Sequence, residues 1–262
     1  MTDSTALDAA HAAMEASPQD DAARLRFFER LADSELFLML TEEAQGDNIS
    51  PELFEVADGR FVLAFDLEER LARFAGRPVP YVALSGRVLA SMLSGQGIGL
   101  GLNLDAAPSS TLIPAEALGW LSETLQHGPE EVQQELAGFE PPSGLPETLL
   151  TALDAKLATA AGLAAAAFLV GTTSKDGGRG HLLGFVSTVE DAQPALARAV
   201  SEALTFSGIE AGALDVGFFA SEDPATAALA KVGLRFDLPQ PQAPDTERAA
   251  PGSNPERPPI LR

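Results

Sequence analysis

Four glycines stand at alternate positions in "LSGQGIGLGLNL": Gly95, Gly97, Gly99 and Gly101. Glycine at this density could cradle a phosphate, because a backbone without Cβ atoms lets an anion approach its N–H groups. The spacing does not fit that chemistry. A dinucleotide fingerprint needs G-x-G-x-x-G between a strand and a helix, and its third glycine would fall on Leu100. The flanking elements also come in the reverse order, a helix pattern before and a strand pattern after. A phosphate-binding P-loop needs G-x-x-x-x-G-K-[ST], and the stretch has no lysine. Read as a strand, 95–101 puts all four glycines on one side and Gln96, Ile98 and Leu100 on the other. A bare face of this kind admits a helix or another backbone at close range. These glycines are therefore the candidate binding surface, covered by the protein's own helix or by a partner.

Other residue types narrow the chemistry further. The chain has no cysteine, which removes disulfides, thiolate nucleophiles and cysteine-ligated metals. His11, His127 and His181 lie far apart, and none has the H-x-x-x-H spacing of a zinc pair. Glu42-Glu43, Glu68-Glu69 and Glu130-Glu131 are adjacent carboxylates, and helical neighbours do not face one another. They are solvated charges. Ser85-Gly86 and Ser94-Gly95 lack the G-x-S-x-G context of a nucleophile elbow. An alternative site remains in Arg179, His181 and Asp215, which a cleft between domains could bring together. Tyr81 and Trp120 sit inside apolar patterns and are expected in the core. No catalytic residue, metal or cofactor is expected.

The elements that position these residues follow from periodicity. Helices are expected over 4–16 and 19–32, with Asp20 or Asp21 as cap of the second. "SELFLML" has the length of a strand. "ELFEVADGRFVLAF" reads as a hairpin around Asp58-Gly59. In "DLEERLARFAG", Asp66 and Glu69 have capping-box spacing and Gly76 stops the helix. A strand over 78–85, a short helix, the glycine stretch and a helix from Pro114 to about Gln126 complete a first unit. A second unit alternates helix 146–160, strand 163–173, a turn at Lys175–Gly180, strand 181–189, helix 191–207, strand 213–220, helix 223–232 and strand 234–237. The domain plan is then a helical extension over 1–19, a first domain over 20–127, a linker over 128–145 with one helical turn, and a second domain over 146–239. A proline-rich, disordered tail is expected over 240–262. The fold class is α/β, of the α+β kind: two small mixed-sheet domains with helices packed on the sheets, each of a size that can fold alone.

Composition sets the partners. The 262 residues carry 17 Lys and Arg against 38 Asp and Glu, a formal net charge of −21. Nucleic-acid binding rests on cations that neutralise phosphate, and docking on an anionic membrane has the same need. Neither is expected. The N-terminus lacks the basic and apolar regions of a signal peptide, and the longest apolar run, "LAAAAFLVG", is too short to span a bilayer. A cytoplasmic protein with a protein partner is the expectation.

The segments "RPVPYVALSGRVL", "GQGIGLGLN" and "LIPAEALGWL" resemble the N-terminal domain of the SseB family, the bacterial "enhanced serine sensitivity" proteins. The resemblance covers about residues 20–126. "PETLLTALDAKLA", "LVGTTSKDGGRGHLLGFV" and "DAQPALARAVSEAL" resemble that family's C-terminal domain. The resemblance implies a cytosolic two-domain α/β protein and does not imply a reaction. It supplies no catalytic or metal residue, and the family name records a phenotype of serine sensitivity. The charge alone yields the first test. A mobility-shift assay at low salt should show no saturable binding to duplex or single-stranded nucleic acid at micromolar protein.

Overall fold

The computed structural model describes residues 4–239 except Asp47, 57–58, 127–135, 175–177 and 209–213. Among the described residues there are eight α-helices and eleven strands, in two mixed sheets. The expected tail over 240–262, the first half of the Lys175–Gly180 turn and the linker up to residue 135 lie outside the described residues.

The first unit runs α1 (Ala6–Ala16), α2 (Asp21–Asp33), β1 (Glu35–Met39), β2 (Leu53–Val56), β3 (Gly59–Phe65), α3 (Glu68–Ala75), β4 (Tyr81–Ser85), α4 (Gly86–Leu93), β5 (Ile98–Leu102), β6 (Thr111–Ile113) and α5 (Ala115–Gln126). Its strand order is β4-β1-β3-β5-β6, with β2 added beside β3 as the expected hairpin. β3 and β5 are parallel; the other pairs are antiparallel. Alternation decides the two faces. Leu36, Leu38, Val62, Ala64, Leu100 and Leu102 point to the main core, where Leu7, Phe27, Leu31, Leu89, Leu118 and Leu121 of the helices meet them. Met39, Leu63 and Phe65 point the other way and are covered by Leu71 of α3.

The helix α1 was expected as an extension ahead of the first domain. It is instead built into that domain. Leu7 is fully buried in the main core, and burying one such side chain contributes roughly 1.5–3 kcal/mol. Asp8, also buried, accepts from Arg70 of α3 and from the Ser109 hydroxyl. Thr5 and Asp8 form a reciprocal capping box at the start of α1. The capping box expected at Asp66 does not form. Leu67 is the N-cap of α3 and has no side-chain cap bond. The Asp66 carboxylate is used elsewhere: it accepts from Arg70 at 2.8 Å and from the Thr5 hydroxyl at 2.6 Å. A buried guanidinium outcompetes the helix end for that carboxylate. Burial works against ionising Asp8, but the hydrogen bonds from Arg70, Ser109 and Thr5 outweigh it and hold the carboxyl well below its usual range.

The second unit runs β7 (Leu136–Glu140), α6 (Glu147–Leu157), β8 (Ala166–Ser174), β9 (Arg179–Val186), a 3-10 turn (Glu190–Ala192), α7 (Gln193–Phe206), β10 (Asp215–Phe219), α8 (Pro224–Val232) and β11 (Leu234–Asp237). Strand order is β10-β9-β8-β11, with β7 also on β8. The expected linker thus contains a strand: β7 pairs Phe139 with Thr172 and Glu140 with Gly171. Its shortness, its central Gly138 and the polar and proline-rich flanks concealed it, because an edge strand needs no apolar alternation to be held by its ladder. Leu149, Leu153, Leu183, Phe185, Leu196 and Val200 form the core between the sheet and α6 and α7. Leu229 of α8 covers the opposite face with Phe168, Val170 and Leu182.

The glycine stretch divides into two kinds. Gly95 (φ 75°) and Gly97 (φ 65°) precede the strand in left-handed turns, with open space where a Cβ would be. Only Gly99 and Gly101 lie in β5, on the α3 face. A Cβ on Gly99 would stand 2.5 Å from the Phe61 ring and 2.6 Å from the Ile113 carbonyl oxygen; one on Gly101 would stand 2.6 Å from Leu63 and 2.8 Å from Leu104. The expected four-glycine face is therefore a two-glycine face, covered by side chains of the same unit and by one neighbouring carbonyl. Backbone turn geometry claims the other two. Gly97→Asn should cost well under about 1 kcal/mol, since asparagine tolerates the left-handed region. Gly99→Val should overpack the Phe61 contact and cost about 1–3 kcal/mol. Denaturant titration of both variants checks the division.

Candidate functional site

The two units meet through helices. Phe206, at the end of α7, is fully buried in the main core of the first unit. It stands edge-on to Trp120 of α5 at 6.4 Å between ring centroids, and Trp120 in turn meets Phe28 of α2 at 5.3 Å. Trp120 is 39% exposed and Tyr81 40%, so neither is the core residue expected. Trp120 belongs to the junction, and Tyr81 caps Phe37 at the β4 edge of the sheet. The shared Phe206 also bears on the expectation of independent folding: a fragment of the first unit alone would lack one of its own core rings.

Beside Phe206 lies a cluster of five charged side chains from four helices. Glu29 and Asp33 come from α2, Arg87 from α4, Lys156 from α6 and Glu202 from α7. Lys156 Nζ donates to Asp33 Oδ2 at 2.6 Å and to Glu202 Oε2 at 3.0 Å, and lies 3.7 Å from Glu29 Oε1. Arg87 embraces Glu202 with both terminal nitrogens, at 2.9 and 3.1 Å, and reaches Asp33 Oδ1 at 2.7 Å. The Lys156 side chain is only 7% exposed and that of Glu202 only 5%. Burial opposes ionisation of Glu202, but the hydrogen bond from Arg87 and the charges of Lys156 and Arg87 outweigh it and hold the carboxyl below its usual range. Arg87 can reach the second unit because Gly86, the first residue of α4, lies against α2. A Cβ there would run into the Leu31 carbonyl, and the Gly86 N–H donates to the Ser34 carbonyl at 2.9 Å.

Four of the five, Asp33, Arg87, Lys156 and Glu202, line a cleft of about 490 Å³ together with Thr159 of the second unit and Asp191, Ala195, Arg198 and Ala199 along one side of α7 and its approach. This is the polar interdomain cleft that the sequence left open, but its residues are not those expected. Arg179 and His181 stand on β9, and Asp215 stands on β10 opposite Leu182. The parallel register puts Asp215 on the same face as Leu182 and therefore on the face opposite to Arg179 and His181. The three do not meet. His181 Nε2 instead lies 2.9 Å from the Ser143 carbonyl oxygen. Asp215 has its carboxyl pushed up by burial. Ser143 helps line a shallow groove of about 420 Å³ with Leu145, Leu150, Val232, Gly233 and Leu234, where Leu234 is 43% exposed. Among the described residues no group of three or more acidic or histidine side chains is placed to hold a metal, and no helix is long and apolar enough to cross a membrane.

The glycine-bearing β5, the Gly86 contact and the start of the helix after Pro114 all lie within one matched stretch. Residues 7–120 match the family model of the SseB protein N-terminal domain. The first unit is similar to an SseB N-terminal domain. The match begins at Leu7, inside α1, in keeping with the burial of that helix. No curated protein and no solved structure matches the chain.

The SseB-like domain contributes Glu29, Asp33 and Arg87 to the junction, and the second unit completes it with Lys156 and Glu202. None of the five was singled out by spacing. Lys156 did carry a signal: it follows Leu149 and Leu153 on the apolar side of α6, where a lysine must be paired. Removing one partner of a buried ion network leaves the others uncompensated, at about 3–5 kcal/mol. Lys156→Met should therefore lower stability by that order and expose the junction. Acid should act in the same direction: a carboxyl held low in the folded state contributes stability that is lost as pH falls below about 4.3 and through its own lowered value. Thermal melts of the variant and an acid titration of the wild type check both.

Proposed function

We propose that the protein is a non-enzymatic, cytoplasmic binding or regulatory protein of the SseB type that acts through protein–protein contacts. The observation that supports this most is the state of the interdomain cleft. Its buried charges are spent on one another: Lys156 and Arg87 hold Asp33 and Glu202 in hydrogen-bonded pairs across the junction. Groups so engaged serve docking of the units rather than proton transfer. The apolar groove at Leu145, Leu150, Val232 and Leu234 offers a surface for a partner of apolar character. The likeness of residues 146–239 to the SseB C-terminal domain, and a link to serine sensitivity, belong to the same reading.

One observation favours a second reading, an enzyme acting on a small metabolite. The cleft is of ligand size and carries the exposed Arg198 on its wall. Two variants separate the readings. Under the binding reading, Leu234→Asp should abolish retention of a captured protein partner, while Arg198→Ala leaves it intact. Under the enzyme reading, small amino or hydroxy acids should raise the melting temperature of the wild type saturably, and Arg198→Ala should remove that rise. Differential scanning fluorimetry together with partner capture decides.

A further inference from the structure

The junction holds three carboxylates against two cations, and its hydrogen bonds say which carboxylate is in surplus. Both oxygens of Asp33 accept, one from Lys156 and one from Arg87. Both oxygens of Glu202 accept, from Arg87 and Lys156. Glu29 takes part only through the longer 3.7 Å approach of Lys156, although its side chain is 5% exposed. Two positive charges are matched by Asp33 and Glu202. A third buried negative charge would face the other two with only Lys156, already hydrogen-bonded to both, and Arg30 of its own helix to offset it, and an under-compensated buried charge neutralises instead.

We propose that docking of the two units takes up one proton on the Glu29 carboxyl, so that the junction is a proton-coupled clasp which loosens as pH rises. Every charged group facing Glu29 enters this balance: Arg30 and Asp33 on α2, Lys156 on α6 and Glu202 on α7, with Arg87 of α4 engaged behind Asp33 and Glu202. Burial first, and then the charges of Asp33 and Glu202, push the Glu29 carboxyl above its usual range, against the pull of Lys156 and Arg30. A carboxyl raised in the docked form favours docking below that raised value and withdraws its contribution as pH passes through it. Glu202 has the opposite sign and fails only in acid. The clasp is therefore tightest in the window between the two, and it opens from both sides for different reasons. Opening at the alkaline side would part the wall of the cleft at Asp33 and Arg87, both of which belong to the SseB-like domain.

The chain carries its own reporter. Trp120 is the single tryptophan and touches Phe206 across the junction. In the full chain, its emission should shift to the red as pH rises, with a one-proton midpoint above the ordinary glutamate value of about 4.3. Glu29→Gln, which mimics the protonated side chain, should lose that transition and keep the blue-shifted emission throughout. A flat wild-type titration overturns the proposal, as does a transition that survives in Glu29→Gln with native circular dichroism. Should the variant not fold, carboxyl carbon resonances of the wild-type chain decide. A Glu29 midpoint raised above the ordinary range upholds the clasp, and a midpoint within that range overturns it.

Discussion

The pairing of Lys156 and Arg87 with carboxylates from both units is the constraint on which the rest depends. Withdrawing an ammonium ion from water costs several kcal/mol even after relaxation. Lys156, nearly buried on α6, recovers that cost only if Asp33 and Glu202 stand within hydrogen-bond reach. Asp33 is on the far unit, so α2 must lie across α6 and α7. Once it does, Phe206 is carried into the first unit's core and Trp120 is trapped beside it. The ion cluster gives direction to a contact whose apolar part alone would leave the helices free to slide. Ionic geometry tolerates far less displacement than an aromatic edge does.

The same device recurs inside the SseB-like domain. Arg70, almost wholly buried, holds Asp8 of α1 and Asp66 at the start of α3, and Asp8 also accepts from Ser109. Asn103, buried and left-handed at φ 50°, donates to Ser109 and accepts from the Asp66 N–H at 3.1 Å. In a chain with 38 acidic and 17 basic side chains, a buried cation finds carboxylates in excess. Both buried cations therefore gather two or more, and each joins elements distant in sequence. Acidity, which speaks against phosphate-bearing partners, becomes inside the fold a supply of acceptors for a few well-placed bases.

Much of this architecture was legible because periodicity and turn chemistry are local. Gly76 ends α3 in the left-handed conformation its sequence demanded, and Asp20 caps α2. The hairpin over 53–65 formed, although Gly59, expected in its turn, pairs with Val56 as the first residue of β3. The failures share one cause. Asp66 was read as a cap, but Arg70 claimed its carboxylate; β7 was read as linker, but β8 supplied its ladder; α1 was read as an extension, but Leu7 entered the main core and Asp8 found partners 62 and 101 residues away. In each case a non-local contact outweighed a correct local preference. The site was less legible than the fold for the same reason. Arg179, His181 and Asp215 were chosen for residue type, and the register of β9 with β10 put them on opposite faces. The five residues of the junction had no spacing to betray them, since four helices contribute them and only tertiary docking makes them neighbours.

The glycines that first suggested chemistry clarify what the SseB resemblance carries. Gly86 is needed because α4 begins against the Leu31 carbonyl; Gly99 and Gly101 are needed because Phe61, Leu63 and Leu104 lie on β5; Asn103 closes the strand by joining it to α3 and Ser109. These residues lie in the segments by which the domain is recognised, and each answers to packing. A string of that kind transmits a shape faithfully while leaving its outer surface unconstrained. The groove at Leu234 lies outside that string, whereas the junction, built jointly with the second unit, draws Arg87 from it. There, the position of α7 against α2 governs what the cleft can expose. The groove belongs to the second unit's own packing of α6, α8 and β11. The two surfaces share α6, which presents Lys156 to the junction and Leu150 to the groove, so a shift of that helix at one is felt at the other.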